Sequence, residues 1–313
     1  MRHSFSRLWP TSQLAVPATL LCANLLFGCA HHGAVAKAPL SPSLPPVATI
    51  APSGGGQVFA EPKAAVDALL AACASGNENA VVAVFGEQAR SLVSTGNPER
   101  DRQRCVHFTT SAKQMVRIDP DAPGRVHIVV GHDDWKLPIP LVQTTGGWQF
   151  DTVAGAKEVG ARRVGANELE TIRVLRAYVS AQREYETSHG SYARRFSSRP
   201  GREDGLAWPA RRGRRASPFA PAFGKALQSG EWAGYRYRIL PAQDGKNAKR
   251  GRGSEDGFGA VAWPAAHGKT GVATFAVGET GQIVEKDLGA KTGDEAAAIA
   301  SVPTGDGWRP VPK

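Results

Sequence analysis

The chain has 313 residues, of which 42% are hydrophobic and 21% are charged, and its formal net charge is +10. This composition is close to that of an average soluble globular protein, and it argues against wholesale disorder and against a membrane protein with several spanning helices. The length suffices for about two domains of ordinary size.

The first 28 residues have the pattern of an export signal peptide. Arg2 and Arg7 precede an apolar stretch over residues 14–27, and no acidic residue comes before that stretch. Because a spanning helix needs about 20 largely apolar residues, the stretch is too short to cross a bilayer. We therefore expect residues 1–28 to be removed after export.

The end of this segment resembles the lipobox of bacterial lipoproteins. Leu26, Phe27 and the small Gly28 precede Cys29, the position that is acylated in such proteins. The resemblance implies cleavage before Cys29 and anchoring by several acyl chains on its thiol. In such lipoproteins an aspartate after the acylated cysteine implies retention on the inner membrane. Because Ala30 stands at that position, we expect the protein to be anchored at the periplasmic face of the outer membrane. The alternative is an ordinary secreted protein that is cut nearby.

Residues 29–57 are rich in Ala, Pro, Ser and Gly. Such a segment buries too little apolar surface to offset the entropy of ordering it. We predict a tether that lets the folded part stand away from the membrane.

Two cysteines remain in the exported part if Cys22 leaves with the signal peptide and Cys29 is acylated. They are Cys73 and Cys105. A disulfide between them is one prediction, since the compartment is oxidising. A buried free thiol is the alternative, because Cys73 continues the apolar spacing of the helix predicted before it.

Residues 58–157 are predicted to be an α+β domain in which helices precede a sheet. Apolar spacing and capping residues predict helices over residues 61–76, 79–85 and 97–107. Short β-prone runs follow at 115–118, 125–130, 137–142 and 148–151. This order is similar to the nuclear-transport-factor-like cone, which implies a curled antiparallel sheet.

Residues 158–313 are predicted to be a second α+β domain, a long helix on an antiparallel meander. Leu169, Ile172, Leu175 and Val179 recur at helical spacing within a helix over residues 165–189. An Arg-rich stretch broken by Pro and Gly follows. β-prone runs come next at 235–240, 259–263 and 272–277, the last paired with 282–285 in a hairpin.

This helix-and-meander order resembles the globular head of type IV pilins and pseudopilins. The likeness is carried by Asn167-Glu168, by Gly190 and Tyr192, and by Gly234-Tyr235-Arg236-Tyr237. Pilins begin with a strongly apolar helix that polymerises them, whereas a folded unit and an anchor occupy that place here. The resemblance therefore implies an accessory of a pilus or secretion machine rather than a pilus subunit.

Residues 58–308 also resemble a family of bacterial envelope proteins that is catalogued only as a domain of unknown function. The motifs that carry this likeness are Asp133-Asp134-Trp135, Gly147-Trp148-Gln149-Phe150-Asp151, Trp208-Pro209, Trp263-Pro264 and Glu285-Lys286-Asp287-Leu288-Gly289. No activity comes with the resemblance, which bears on fold and location only.

No complete catalytic motif occurs in the sequence. Gly268-Lys269-Thr270 lacks the upstream glycine of a phosphate-binding loop, because position 263 is Trp. Lys269-Thr270-Gly271 matches one box of the penicillin-binding enzymes, but no Ser-x-x-Lys box accompanies it. We therefore assign no catalytic residue, metal ligand or cofactor, and we favour a non-enzymatic interaction or scaffolding module.

The rival interpretation is an enzyme that acts on a cell-wall or lipid substrate. His132, Asp133 and Asp134 form a compact polar triplet that would serve a metal or acid-base site if a distant partner converged on it. The alternative for the same three residues is a turn, in which aspartate side chains bond their own backbone.

Positive charge is concentrated in one region. Residues 190–252 contain 15 Lys and Arg against 4 Asp and Glu, a net charge of +11, whereas the rest of the chain from Cys29 onward sums to −3. The clusters are Arg194, Arg195, Arg199 and Arg202; Arg211, Arg212, Arg214 and Arg215; and Lys246, Lys249, Arg250 and Arg252.

Such clusters attract polyanions through the release of counterions. Our predicted polyanion-binding residues are Arg194, Arg195, Arg211, Arg212, Arg214 and Arg215. In the periplasm the partners would be anionic lipid, lipopolysaccharide or other envelope proteins, and no intracellular nucleic acid. The alternative is a set of solvated loops whose charge serves solubility.

Overall fold

A computed structural model describes residues 55–210, 212–213, 215–240 and 257–312. The signal peptide, Cys29, nearly all of the tether, Arg211, Arg214 and the third basic cluster lie outside the described residues. Within them the chain is an α+β protein with two antiparallel sheets, which confirms the predicted fold class.

The first half begins with four helices: α1 (Pro62–Ala74), α2 (Glu78–Phe85), α3 (Arg90–Val93) and α4 (Pro98–Gln114). Proline at the first position suits α1 and α4, since that residue needs no backbone N–H partner. Asn77 and Asn97 cap α2 and α4 by accepting backbone N–H groups at 2.9 and 3.1 Å. Helix α4 extends seven residues past its predicted end.

Five strands form the first sheet: β1 (Val116–Ala122), β2 (Arg125–Val130), β3 (Trp135–Lys136), β4 (Leu141–Thr144) and β5 (Gly147–Phe150). Their order is β1-β2-β4-β5, with β3 also on β2. The predicted run over 137–142 is divided because Pro138 and Pro140 have no N–H for a ladder. Leu137 still donates to the Ile128 carbonyl at 2.8 Å.

The first hydrophobic core joins the helices to one face of this sheet. Alternate residues of β2, Val126, Ile128 and Val130, pack in one cluster with Leu69 of α1 and Phe85 of α2. A disulfide between Cys73 of α1 and Cys105 of α4, with Cα atoms 5.0 Å apart, borders this core. The structure thus pairs the two cysteines and leaves neither as a free thiol.

Helix α5 (Thr152–His189) runs for 38 residues, and its buried side chains from Val174 onward belong to the second core. It begins 13 residues before the predicted start, where the Asp151 side chain accepts the Ala154 N–H at 3.0 Å. Gly155 packs against Ile139 of the first core. The predicted domain boundary between residues 157 and 158 lies inside this helix. Among the described residues, no helix is both long and apolar enough to cross a membrane.

The second half contains α6 (Pro221–Ser229), α7 (Thr292–Ala298) and a second sheet. Its strands are β6 (Glu231–Trp232), β7 (Tyr235–Ile239), β8 (Gly259–Pro264), β9 (Ala273–Gly278), β10 (Ile283–Asp287) and β11 (Arg309–Pro310). The order β11-β10-β9-β8-β7-β6 is an antiparallel meander. The predicted hairpin is present as β9 and β10, with Val277 opposite Ile283.

Buried phenols fix α5 to this meander. The Tyr178 hydroxyl donates to the Gly259 carbonyl at 2.9 Å, and the hydroxyl oxygens of Tyr237 and Thr171 lie 3.1 Å apart. Burial raises the pKa of Tyr178 and of Tyr237. Both side chains therefore stay neutral and serve as hydrogen-bonding anchors of the second core.

Candidate anion-binding surface

The stretch between α5 and α6 interleaves buried side chains with exposed arginines. We call residues 194–215 the arginine segment; it has eight arginines against two carboxylates. Its described arginines are all exposed: Arg194, Arg195, Arg199, Arg202, Arg212 and Arg215. Side chains in and next to it are no more than 5% exposed and belong to the second core: Ala193, Phe196, Leu206, Ala207, Trp208 and Phe219. Apolar burial therefore holds the backbone while the guanidinium groups stay in water.

Backbone hydrogen bonds join three parts of this region that are apart in sequence. Leu206 N donates to the Arg195 carbonyl at 3.0 Å, and Ser198 N donates to the Ala207 carbonyl at 2.8 Å. Phe219 N donates to the Leu206 carbonyl at 2.8 Å. These bonds hold the backbone of Arg195 and of Phe219 beside that of Leu206.

Side-chain hydrogen bonds also hold the backbone of this region. Gln228 of α6 accepts the Phe196 N–H through Oε1 at 3.0 Å. The Trp208 indole N–H donates to the Arg215 carbonyl at 3.1 Å, and Ser217 Oγ donates to the Trp208 carbonyl at 3.1 Å. The first two bonds fix the backbone of Phe196, which follows Arg195, and of Arg215.

One acidic side chain neutralises part of the segment. Asp204 accepts the Arg199 backbone N–H at 2.9 Å and also pairs with its guanidinium. Burial raises the pKa of the Asp204 carboxyl, but the hydrogen bonds from Arg199 outweigh it and the net pKa lies below its ordinary value. Arg199 is therefore less available to an outside anion than its neighbours are.

The other described arginines remain open to solvent. Arg195 Nε donates to the Ser197 carbonyl at 3.2 Å, and Arg194 Nη1 donates to the Gly257 carbonyl at 3.2 Å. Within the described part of the chain, no carboxylate pairs with Arg195, Arg202, Arg212 or Arg215. These four guanidinium groups are the ones that an anion would meet.

An aromatic stack holds the segment against the end of α5. The rings of Tyr185 and His189 are parallel with centroids 4.0 Å apart, and Trp208 approaches His189 edge-on at 5.9 Å. The Tyr185 hydroxyl donates to the Glu203 carbonyl at 2.8 Å. Sequence reasoning missed His189, although its place four residues after Tyr185 at a helix end puts both on one helix face.

The polar triplet of residues 132–134 forms the turn between β2 and β3. Asp134 has a left-handed backbone with φ 53°, and its N–H donates to the Gly131 carbonyl. Its carboxylate accepts a bond from Arg117 Nη1 at 3.0 Å. Arg117 also bonds Asp119 at 2.6 Å and holds the pKa of that carboxyl below its usual range. The geometry of the triplet is that of the turn alternative.

A second polar group lies on the outer face of the same sheet. His127 Nε2 is 3.3 Å from Asp121 Oδ2, and Arg125 Nε is 3.2 Å from the same oxygen. Sequence reasoning missed this group, whose signal is alternating polar residues on two paired strands. Among the described residues, no three His, Cys, Asp or Glu side chains converge as metal ligands.

Comparison with known proteins assigns the chain to one family. Residues 56–311 match the family described as Protein of unknown function (DUF2950). No curated protein and no solved structure matches the chain. The match covers both cores and the arginine segment.

Proposed function

This chain belongs to the DUF2950 family, and from its own residues we propose that it is a non-enzymatic interaction module of the bacterial cell envelope that binds anionic surfaces. The observation that carries the proposal is the arginine segment. Four exposed guanidinium groups, with no carboxylate partner among the described residues, lie in a segment whose buried side chains belong to the second core. A solvated loop that served solubility alone would not need such anchoring.

The chemistry of the segment suits phosphate groups. A guanidinium is planar, stays charged at all physiological pH values, and donates bidentate hydrogen bonds to phosphate oxygens. The Arg195 carbonyl accepts the Leu206 N–H and the Arg215 carbonyl accepts the Trp208 indole N–H, so the backbone of both arginines is tied to one short buried stretch. The surface thus offers contacts to more than one phosphate. Anionic lipid headgroups and lipopolysaccharide present such arrays of phosphates.

The proposed location rests on the N-terminal sequence. A lipobox that ends at Cys29 favours a lipid anchor, and Ala30 favours the periplasmic face of the outer membrane. A tether over residues 29–57 would keep the folded part within reach of the membrane surface and so raise the effective concentration of its anionic groups. Weak contacts of individual arginines would then suffice for association.

Mass spectrometry of the protein purified from a bacterial membrane tests the anchor. We expect an N-terminal peptide that begins at Cys29 and carries acyl groups, and we expect the Cys29→Ser variant to be unprocessed. An unmodified mature N-terminus at another residue would reject the lipoprotein part of the proposal.

Salt-dependent binding tests the anionic surface. The chain without its signal peptide and with Cys29→Ser, which carries no acyl group, is added to vesicles that contain lipopolysaccharide and to vesicles of zwitterionic lipid alone, over a series of salt concentrations. We expect binding to the anionic vesicles that weakens steeply as salt rises, because released counterions drive it. Equal binding to both vesicle types, or none to the anionic vesicles at low salt, would reject it.

A second candidate is an accessory of a pilus or secretion machine. It is favoured by α5 packing against β9 of an antiparallel meander, the layout by which residues 158–313 resemble a pilin head. Crosslinking in intact cells tests this role: capture of pilin-like subunits would support it, and crosslinks to lipid or lipopolysaccharide alone would favour the first candidate.

A further inference from the structure

A cavity of about 130 Å³ lies beside the disulfide of the first core and is partly open to solvent. Cys105 lines it together with Asp101 and Arg102 of α4, Gly76 after α1 and Val93 of α3. Cys73, the other half of the disulfide, does not line it. A small molecule that enters the cavity therefore contacts Cys105 and not Cys73.

The disulfide is the first firm attachment of helix α4. From Pro98 to His107 every side chain is exposed except those of Asp101 and Cys105, which are half-buried. The buried contacts of α4 come later, at Phe108 and Ala112. The first half of α4 is therefore held to α1 mainly through Cys105.

Three charged side chains lie on the cavity wall: Glu78, Asp101 and Arg102. The Asp101 carboxylate accepts hydrogen bonds from Thr95 N and Thr95 Oγ1 at 2.9 and 2.8 Å, so its oxygens are engaged within the protein. The Arg102 side chain is 58% exposed and its guanidinium pairs with Glu99 at 3.2 Å. Access to Cys105, rather than charge, therefore distinguishes the two sulfurs.

We propose that Cys105 is a thiol–disulfide exchange site for a low-molecular-weight thiol that enters this cavity. The incoming thiolate forms a bond with Cys105 Sγ while the bond to Cys73 Sγ breaks, and Cys73 leaves as a thiolate that takes up a proton. A second thiolate then attacks the small-molecule sulfur of the mixed disulfide and releases Cys105. In total two thiols are oxidised to one disulfide, and the protein disulfide is reduced by two electrons. Exchange frees the first half of α4.

Glutathione is the probe for the test. The folded full chain is incubated with it, quenched with iodoacetamide and mapped by mass spectrometry, which separates Cys73 and Cys105 from Cys22 and Cys29 by peptide. We expect the glutathione adduct on Cys105 and the alkylated thiol on Cys73. Adducts on Cys73, or equal adducts on both, would overturn the proposal, and this measurement needs no variant.

A matched pair of variants tests the role of the cavity. Val93→Phe adds bulk to the cavity wall, whereas Val106→Phe adds the same bulk on the outer face of α4, where Val106 is 59% exposed. We expect the glutathione adduct to form about tenfold more slowly in Val93→Phe than in the unmodified chain, and at an unchanged rate in Val106→Phe. In denaturant, where the cavity is lost, all three proteins should react at the same rate. A folded Val93→Phe that reacts as fast as the unmodified chain would contradict entry through the cavity.

Discussion

Gln182 holds the backbone of Ala193 through both atoms of its side-chain amide. Gln182 Oε1 accepts the Ala193 N–H at 2.9 Å, and Gln182 Nε2 donates to the Ala193 carbonyl at 2.8 Å. Both residues are buried, so these bonds form away from water. Because Ala193 immediately precedes Arg194, this pair fixes where the arginine segment leaves helix α5.

Replacing Gln182 with leucine should be strongly destabilising. Leucine fills the space but leaves the N–H and C=O of Ala193 and the Tyr178 hydroxyl without this partner. We expect the free energy of unfolding to fall by about 2–4 kcal/mol, measured by denaturant unfolding. Gln103→Leu, at an exposed site on α4, is the control and should change it by less than about 0.5 kcal/mol. If both substitutions changed the free energy of unfolding equally, the hydrogen bonds between Gln182 and Ala193 would contribute little to stability.

Gly205 lies close to the backbone of residues 195–198 in the arginine segment. A Cβ atom there would lie 2.8 Å from the backbone carbon of Ser197 and 3.0 Å from the Arg195 carbonyl oxygen. Since backbone atoms cannot yield as a side chain can, Gly205→Ala should destabilise the protein by about 1–3 kcal/mol. Gly160→Ala in α5 meets nothing within 4 Å and should stabilise by about 0.5–1 kcal/mol. If the melting temperatures of Gly205→Ala and Gly160→Ala both rose or both fell, the close backbone approach at Gly205 would be contradicted.

Acid should weaken the Asp204–Arg199 pair. The pKa of Asp204 is lower in the folded chain than in the unfolded chain. Its contribution to stability is therefore complete above the unfolded pKa of about 4 and is lost as the pH falls through the folded value. We expect the difference in melting temperature between the unmodified chain and Asp204→Asn to shrink below about pH 4. The control is Glu184→Gln, an exposed carboxylate on α5. A difference that stays constant down to pH 2.5, well below about 4, would contradict the assignment.

The sequence predicted elements wherever local signals agreed. Gly278 and Gly281 bracket the turn of the β9–β10 hairpin, and its pairing is as expected. The start of α5 was wrong by 13 residues because Gly155 and Gly160 lower helix propensity in its first turns. Gly155 is required there by its contact with Ile139, which is distant in sequence and gives no local signal.

The sequence predicted which arginines form the candidate surface, but not the contacts that hold them. Counting charges locates the arginines, and the described ones are exposed as expected. The pairing of Arg199 with Asp204 was not predicted, nor was the hydrogen bonding of Leu206 to both Arg195 and Phe219. These depend on how the chain folds back on itself after α5. Arg211 and Arg214 stay predictions, because they lie outside the described residues.

The central claim is that the arginine segment binds polyanions. Two variants that each remove three positive charges, one inside the segment and one outside it, test this claim most directly. The triple variant Arg195→Gln, Arg212→Gln, Arg215→Gln alters the arginine segment. The control variant Arg100→Gln, Lys113→Gln, Arg163→Gln removes the same charge from exposed sites elsewhere. Affinity of the full chain for a short DNA duplex, used only as a polyanion probe, is measured against salt concentration.

If four arginines of the segment each meet one phosphate, the slope of log affinity against log salt is about −3 to −4 for the unmodified chain. We predict that the segment variant flattens this slope by about 3, whereas the control variant leaves it nearly unchanged. Equal losses in the two variants would show that total charge, and not the arginine segment, attracts the polyanion, and would contradict the account.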